Sequence, residues 1–276
     1  MKDLDGRHVV VTGGSYGLGK EIVRGFLREG ANVYAIARDG DKLAAAVDEL
    51  RTDARARRTV EGVQADVSDR ASISSAVEAI AARAGGLDVL VNNAGIVIPG
   101  YFETLDVADF ETVARTNYFG AVYATKAALP YLLKRTASAV TFTSSIVGHK
   151  GAFGYSTYSP TKAALIALAE VVRSELKAKG VQVSVLCPPD TDTPGLAAER
   201  EIRPHETEAL AGSAKLMSAV DVAACFMRGF KAGKFMIICD TVGKLLYRLN
   251  GVSPRAVDLF MDATVARARK AHPEGV

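Results

Sequence analysis

Thr12-Gly13-Gly14-Ser15-Tyr16-Gly17-Leu18-Gly19 lies between the apolar run His8–Thr12 and a helical pattern over Glu21–Arg28, and its reading decides the fold. The run before it is short and β-branched, as a buried strand requires. After it, Ile22, Val23, Phe26 and Leu27 recur at helical spacing. Glycines in such a turn permit positive φ and let backbone N–H groups approach a phosphate, whose charge the helix N-terminus favours. A glycine-rich turn alone says little, but between a first strand and its helix it is where a dinucleotide pyrophosphate binds. Gly13, Ser15, Tyr16, Gly17 and Leu18 are the candidate phosphate-binding residues.

The unit repeats outward. Asn32–Ala37, Arg58–Ala65, Leu87–Val91, Ala139–Thr143, Val181–Leu186 and Phe235–Cys239 are further apolar runs that read as strands. Helical patterns fall between them at Asp41–Leu50, Ser72–Ala82, Asp109–Leu133, Thr161–Lys179 and Ala219–Phe230. Parallel strands need crossover connections, so this alternation predicts an α/β fold of the Rossmann type: a doubly wound parallel sheet of about seven strands flanked by helices. No linker or composition shift divides the 276 residues, and one domain over 1–276 is expected. Two stretches break the alternation. Residues 188–218, with Pro188, Pro189, Pro194 and Pro204 among charges, read as a substrate loop or lid. Residues 241–276 read as an amphipathic tail that covers the cleft or a partner subunit, or touches a membrane surface.

Composition narrows the function. Hydrophobic residues make up 49% of the chain, yet no apolar run reaches the roughly 18–20 residues of a spanning helix. Met1–Arg7 is charged and runs straight into the first strand, so no signal peptide is expected and the protein reads as cytoplasmic. A net charge of +3 gives no basis for nucleic-acid binding, and the one tight basic cluster, Arg51, Arg55, Arg57 and Arg58, reads as a solvated helix end. Cys187, Cys225 and Cys239 are scattered and odd in number, which suits neither disulfides nor zinc, and the four histidines show no ligand spacing. No metal is expected.

Nicotinamide cofactors differ at the adenosine ribose, where an acidic residue at the end of the second strand accepts from a 2′-hydroxyl and a basic one meets a 2′-phosphate. Here that strand ends Ala37-Arg38, with Lys42 four residues on. Two cations predict NADP(H). Asp39 and Asp41 lie close enough to keep NAD(H) open.

A proton donor can also be argued from residues. A phenol titrates near pH 10 and needs a neighbouring positive charge to exchange protons near neutrality. Lys162 follows Tyr158 by four residues, which is one helical face. At about 5 Å and an effective dielectric near 20 the pair is worth roughly 3 kcal/mol, or about two pKa units, and the positive charge of an oxidised nicotinamide cofactor is expected to bring the phenol the rest of the way into working range.

The order of motifs, covering essentially the whole chain, resembles the short-chain dehydrogenase/reductase family: Thr12–Gly19, Asp66-Val67, Asn92-Asn93-Ala94-Gly95, Asn117, Ser145, and Tyr158-Ser159-Pro160-Thr161-Lys162. The resemblance implies an NADPH-dependent oxidoreductase in which Tyr158 gives the proton, Ser145 bonds the carbonyl oxygen, Lys162 also holds the nicotinamide ribose, and Asn117 supports a water in the relay. It further implies that Asp66 and Val67 meet the adenine, that Asn93, Ala94 and Gly95 pass beside the adenosine ribose, and that Thr191 and Thr193 reach the carboxamide end. Pro189 stands where the family carries glycine, so that loop should be stiffer.

The stretch Pro188–Gly195, together with Arg38 and Lys42, is similar to the corresponding parts of 3-ketodihydrosphingosine reductases, which reduce a long-chain amino ketone in sphingolipid synthesis. That resemblance implies a lipid ketone substrate, with Leu245, Leu246, Leu249 and Phe260 expected to cover its alkyl chain. The eukaryotic relatives' N-terminal anchor is not seen, so any membrane contact is expected to be peripheral. A homo-oligomer is also expected. Other ketones (β-ketoacyl, steroid or polyol) and a non-catalytic NADP(H)-sensing module are the competing readings.

Overall fold

In the computed structural model, which describes residues 1–53, 58–212 and 216–272, seven parallel strands form one sheet. In chain order they are β1 (His8–Thr12), β2 (Asn32–Ala37), β3 (Val60–Gln64), β4 (Val89–Asn92), β5 (Ser138–Thr143), β6 (Val181–Cys187) and, after a two-residue pair described below, β9 (Met236–Ile238). Their order across the sheet is β3-β2-β1-β4-β5-β6-β9. The chain winds outward from β1 to β3, then crosses back to place β4 on the other side of β1. That reversal opens a crevice beyond the carboxyl ends of β1 and β4, where open α/β sheets bind their ligands.

Strand residues point alternately to the two faces, and both faces are covered, so the strands read as near-continuous apolar runs. On one side Val10, Leu90, Val140 and Val183 pack under α3 (Arg70–Ala84), α5 (Gly120–Leu132) and α6 (Ser159–Leu176). On the other, Val9, Val11, Val33 and Val89 pack under α1 (Gly17–Arg28), α2 (Gly40–Arg51) and α9 (Ala219–Lys231). Phe26 of α1 meets Phe226 and Phe230 of α9 edge to face, with ring centroids 6.1 and 5.5 Å away, a geometry that adds to their area burial.

One expectation changes, and two stretches left open by the sequence take definite form. The helix read over Asp109–Leu133 is two helices, α4 (Val107–Ala114) and α5, joined by a π-helical turn at Arg115–Phe119 that carries Asn117. In the region read as a substrate loop or lid, β7 (Thr191–Asp192) pairs with β8 (Met217–Ser218), and α7 (Pro194–Arg200) and α8 (His205–Ala211) lie between them. The tail is a helix pair, α10 (Thr241–Val252) and α11 (Pro254–Ala271), tied down by Arg269 Nε on Glu206 at 3.1 Å and by Asn250 Nδ2 on the His149 carbonyl at 2.9 Å. Of the basic cluster, Arg55 and Arg57 lie outside the described residues. The three thiols are free. Among the described residues no helix is long and apolar enough to cross a membrane.

Candidate active site

The glycine turn is built by close approach. Gly13 and Gly17 have φ of 68° and 54°, in the left-handed region that favours glycine. A Cβ on Gly19 would stand 1.9 Å from the Gly13 carbonyl oxygen, and one on Gly13 would stand 2.9 Å from Ala94 Cα. The second contact welds this turn to the loop after β4. Thr12 Oγ1 accepts from the backbone N–H of Asn93 and Ala94 at 3.0 and 3.1 Å, and Asn93 Nδ2 donates back to the Thr12 carbonyl at 3.2 Å. α1 opens with no side-chain cap and no acidic residue in its first turn, leaving its N–H groups for an anion.

Above this turn a cleft of about 610 Å³ runs along the carboxyl ends of the strands. It is lined by Gly13, Ser15, Tyr16, Gly17, Leu18, Arg38, Lys42, Asp66, Val67, Asn93, Ala94, Gly95, Ser145, Tyr158, Lys162, Thr191 and Thr193, which are all but one of the residues singled out from sequence for cofactor or chemistry. The exception is Asn117, buried behind the wall. Its Oδ1 accepts from Ile96 N at 2.8 Å, and its Nδ2 donates to the Ile96 carbonyl at 2.9 Å and to Thr161 Oγ1 at 3.1 Å, so the side chain clamps the loop after β4 to α6.

At the adenosine end Arg38 is exposed and forms no ion pair among the described residues. Lys42 is less free, because its Nζ lies 3.3 Å from Asp39 Oδ2. Asp39 itself caps α2, accepting from Lys42 N at 3.0 Å, and these contacts hold its carboxyl below the usual range. Asp66 accepts from Ser68 N and Ser68 Oγ through Oδ1 at 2.8 and 2.7 Å, and its other oxygen has no partner among the described residues.

At the opposite end Ser145, Tyr158 and Lys162 come together. Ser144, at the end of β5, donates to the Lys162 carbonyl at 2.7 Å and so locks α6 against the strand end. Lys162 Nζ donates to the Thr143 carbonyl at 2.9 Å and lies 5.3 Å from the Tyr158 ring centroid. Burial pulls the Lys162 ammonium down to about 8. In the free protein burial, then the nearby Glu199 carboxylate, pushes Tyr158 up, and the Ser145 hydroxyl only partly opposes this. The hydroxyls of Thr191 and Thr193 are spent locally, on the Pro189 carbonyl at 2.8 Å and on Leu196 N at 3.2 Å.

Sequence reasoning missed a second group in the same wall. Tyr155 donates to Glu199 Oε1, and its ring centroid lies 5.7 Å from that of Tyr158. Arg203, with a side chain only 1% exposed, reaches Asp190 Oδ2 at 3.3 Å and Glu199 Oε1 at 3.5 Å and also pairs with Glu208. No short-range pattern announces them, because they converge only when α7 folds over the cleft. The tail residues proposed to cover an alkyl chain do not line the cleft: Leu245, Leu249 and Phe260 are exposed and Leu246 half-buried. Val97, Val147, Leu196 and Ile202 supply its apolar wall instead.

Comparison with known proteins agrees with this geometry. The model of the short chain dehydrogenase family matches residues 7–204. The chain is similar to a 3-ketodihydrosphingosine reductase of Dictyostelium discoideum, 38% identical over 93% of this chain and 82% of that protein. It is also similar to a 3-dehydrosphinganine reductase of Danio rerio, 37% identical over 91% of this chain and 76% of that one. A short-chain dehydrogenase/reductase from Burkholderia phymatum, solved in complex with NAD, superposes with a TM-score of 0.82 at 25% identity, covering 93% of this chain and 96% of that one. With the sheet order, the glycine turn and the Ser145, Tyr158 and Lys162 set in place, this chain belongs to the short-chain dehydrogenase family of oxidoreductases.

Proposed function

We propose that the protein reduces the ketone of 3-ketodihydrosphingosine, or a close long-chain 2-amino-3-ketone, to the secondary alcohol with NADPH. The observation that carries the chemistry is one cleft holding Ser145, Tyr158 and Lys162 at one end and an uncapped, glycine-built helix N-terminus at the other. The substrate reading rests on the relatives named above and on the apolar wall of Val97, Val147, Leu196 and Ile202.

The residues present fit a dinucleotide: without Cβ atoms at Gly13 and Gly19 the turn packs tightly on Ala94 and on itself, and α1 opens above it with uncapped N–H groups and no acidic residue in its first turn. Gly13 and Ser15–Leu18 would hold the pyrophosphate, Asp66 and Val67 the adenine, Asn93–Gly95 the backbone side of the adenosine ribose, and Lys162 the nicotinamide ribose. Thr191 and Thr193 would border the carboxamide end, and Arg38, with Lys42 beside it, would meet a 2′-phosphate. When bound, the reduced nicotinamide supplies the hydride. The chain's own residues do the rest. Ser145 and Tyr158 hydrogen-bond the substrate oxygen, and Tyr158 gives it a proton. Lys162 places a positive charge beside the phenol as it becomes phenolate, and Asn117 keeps the β4 loop and α6 in register behind it.

The exposed face of α10, with Leu245, Leu249 and Val252 beside Lys244 and Arg248, suits a peripheral contact with an anionic lipid surface.

The test is a substrate panel with oxidation of NADPH and NADH followed optically. The long-chain amino ketone should have a kcat/KM above those of β-ketoacyl, steroid and polyol ketones, and NADPH should be preferred. Arg38→Asp should weaken NADPH binding by roughly 10–100-fold, the value of a charge-assisted contact. A preference for a steroid or sugar would remove the lipid reading, and equal affinity for the two cofactors would remove the Arg38 assignment.

A further inference from the structure

Beside the reacting end of the cleft stands a charge imbalance that proton transfer to a plain ketone does not need. One buried guanidinium, Arg203, faces three carboxylates, Asp190, Glu199 and Glu208. Two of these, Asp190 and Glu199, line the cleft together with Tyr155 and Tyr158. Glu199 is held from one side only: Tyr155 Oη and Arg203 Nη1 both meet its Oε1. Its Oε2 has no partner among the described residues, although the side chain is only 11% exposed. A carboxylate only 11% exposed gives up much of its hydration while presenting a free acceptor to the cleft, a loss that a ligand cation at that oxygen would offset. Its field also opposes the step the cleft performs, since negative charge beside Tyr158 resists formation of the phenolate. A substrate with an ammonium group next to its carbonyl removes both penalties at once.

We propose that Glu199, oriented by Tyr155 and Arg203, receives the ammonium group of the substrate and makes the enzyme selective for 2-amino ketones over plain ketones of the same length. The inference rests on the amino-ketone reading above and adds a residue and a recognition chemistry to it. With the substrate oxygen on Ser145 and Tyr158, the carbon bearing nitrogen is bonded to the carbonyl carbon itself, and the proposal turns that side of the ketone to the wall of Tyr155 and Glu199; the Tyr155 ring lies 5.7 Å from that of Tyr158. Arg203 is a positioning residue here. Its guanidinium pairs with all three carboxylates and holds Glu199 at Oε1, which leaves Oε2 to turn to the ligand. The same arrangement disfavours a substrate carrying a carboxylate or phosphate near the ketone, because such an anion would face Glu199 and Asp190.

The experiment compares two ketones of equal chain length, one with the 2-ammonium group and one with hydrogen in its place, in the unmodified protein and in Glu199→Gln. The readouts are kcat/KM for each ketone and, independently of turnover, the dissociation constants of the two corresponding alcohols. The unmodified protein should favour the amino ketone by about 100-fold, in line with a charge-assisted contact made in a shielded site. In Glu199→Gln, shown to be folded by unchanged cofactor affinity, that ratio should fall toward one, and Glu199→Asp should restore part of it. A ratio near one in the unmodified protein overturns the proposal whether or not any variant folds. A ratio that is high in the unmodified protein and survives Glu199→Gln overturns the assignment to Glu199 while leaving the amino-ketone reading intact. Failure of the unmodified protein to turn over the amino ketone, with good turnover of another ketone, removes both.

Discussion

Tyr158 and Lys162 are shifted in opposite directions by the same cause, since burial disfavours the charged form of each. For Lys162 the charged form is the protonated one, so its lowered value means the ammonium is present below about pH 8 and is lost above it. Tyr158, pushed up, keeps its proton through that range. The kcat/KM for reduction is therefore expected to fall as pH rises through about 8, and Lys162→Arg, whose charge is permanent, should move that limb upward if the variant retains turnover. A pH profile flat from about 7 to about 10, a window that brackets the lowered value of Lys162 and stops short of that of a free lysine, would contradict the assignment. The linkage sign follows. An unfolded lysine holds its proton to about pH 10.4, so between about pH 8 and that value the unfolded state binds more protons and the uncomplexed protein gains stability from this group as pH rises. The pair itself was readable from a four-residue spacing; its electrostatics were not, because burial and the approach of Glu199 on α7 and of Asp190 in the loop after β6 arise only in the folded chain.

Among the elements, the seven strands and most helices were legible because each carries its own periodicity and its own turn residues. Val9 to Val11 and Val89 to Val91 are apolar on both faces, as buried parallel strands must be. Three devices were hidden. The π-helical turn around Asn117 keeps helical hydrophobic spacing and so passes for a continuous helix. The β7 and β8 pair is two residues long on each side, below what alternation can signal. The two short helices between them lie among prolines that read as turn formers, yet Pro194 begins α7 and Pro204 precedes α8, positions where proline starts helices rather than ending them. The glycine turn gives the sharpest test at this scale. Gly19→Ala would force a methyl to 1.9 Å from the Gly13 carbonyl oxygen, so the turn must open. It is expected to lower cofactor affinity steeply in a direct binding titration. Gly251→Ala, where nothing lies within 4 Å, should leave that affinity unchanged. Equal effects of the two would mean that the close packing of the turn does not organise the site.

For the molecule as a whole, sheet order places the reversal between β1 and β4, and every residue singled out for cofactor or chemistry except Asn117 converges on the cleft above it. That convergence was legible in outline, since motif order along a doubly wound sheet fixes which strand ends meet. What covers the cleft was not, because the tail's leucines serve equally well as wall or as outer surface until the chain is folded. Leu245, Leu249 and Val252 prove to face outward. The protein is accordingly expected to co-sediment with vesicles containing anionic lipid, and Leu245→Asp with Leu249→Asp should release it without changing turnover of a short, water-soluble ketone; co-sedimentation unaffected by the double substitution would rule out this face. The central claim is that this cleft carries hydride from a nicotinamide to the ketone carbon of a long-chain amino ketone, with Tyr158 as proton donor. The most direct test supplies NADPH deuterated at both positions of nicotinamide C4 and analyses the product alcohol by mass spectrometry. One deuterium at the carbinol carbon is expected with the unmodified protein, and a rate lower by about 10²–10⁴-fold with Tyr158→Phe at comparable cofactor affinity. Product without deuterium at that carbon, or a Tyr158→Phe rate near that of the unmodified protein, would contradict the account.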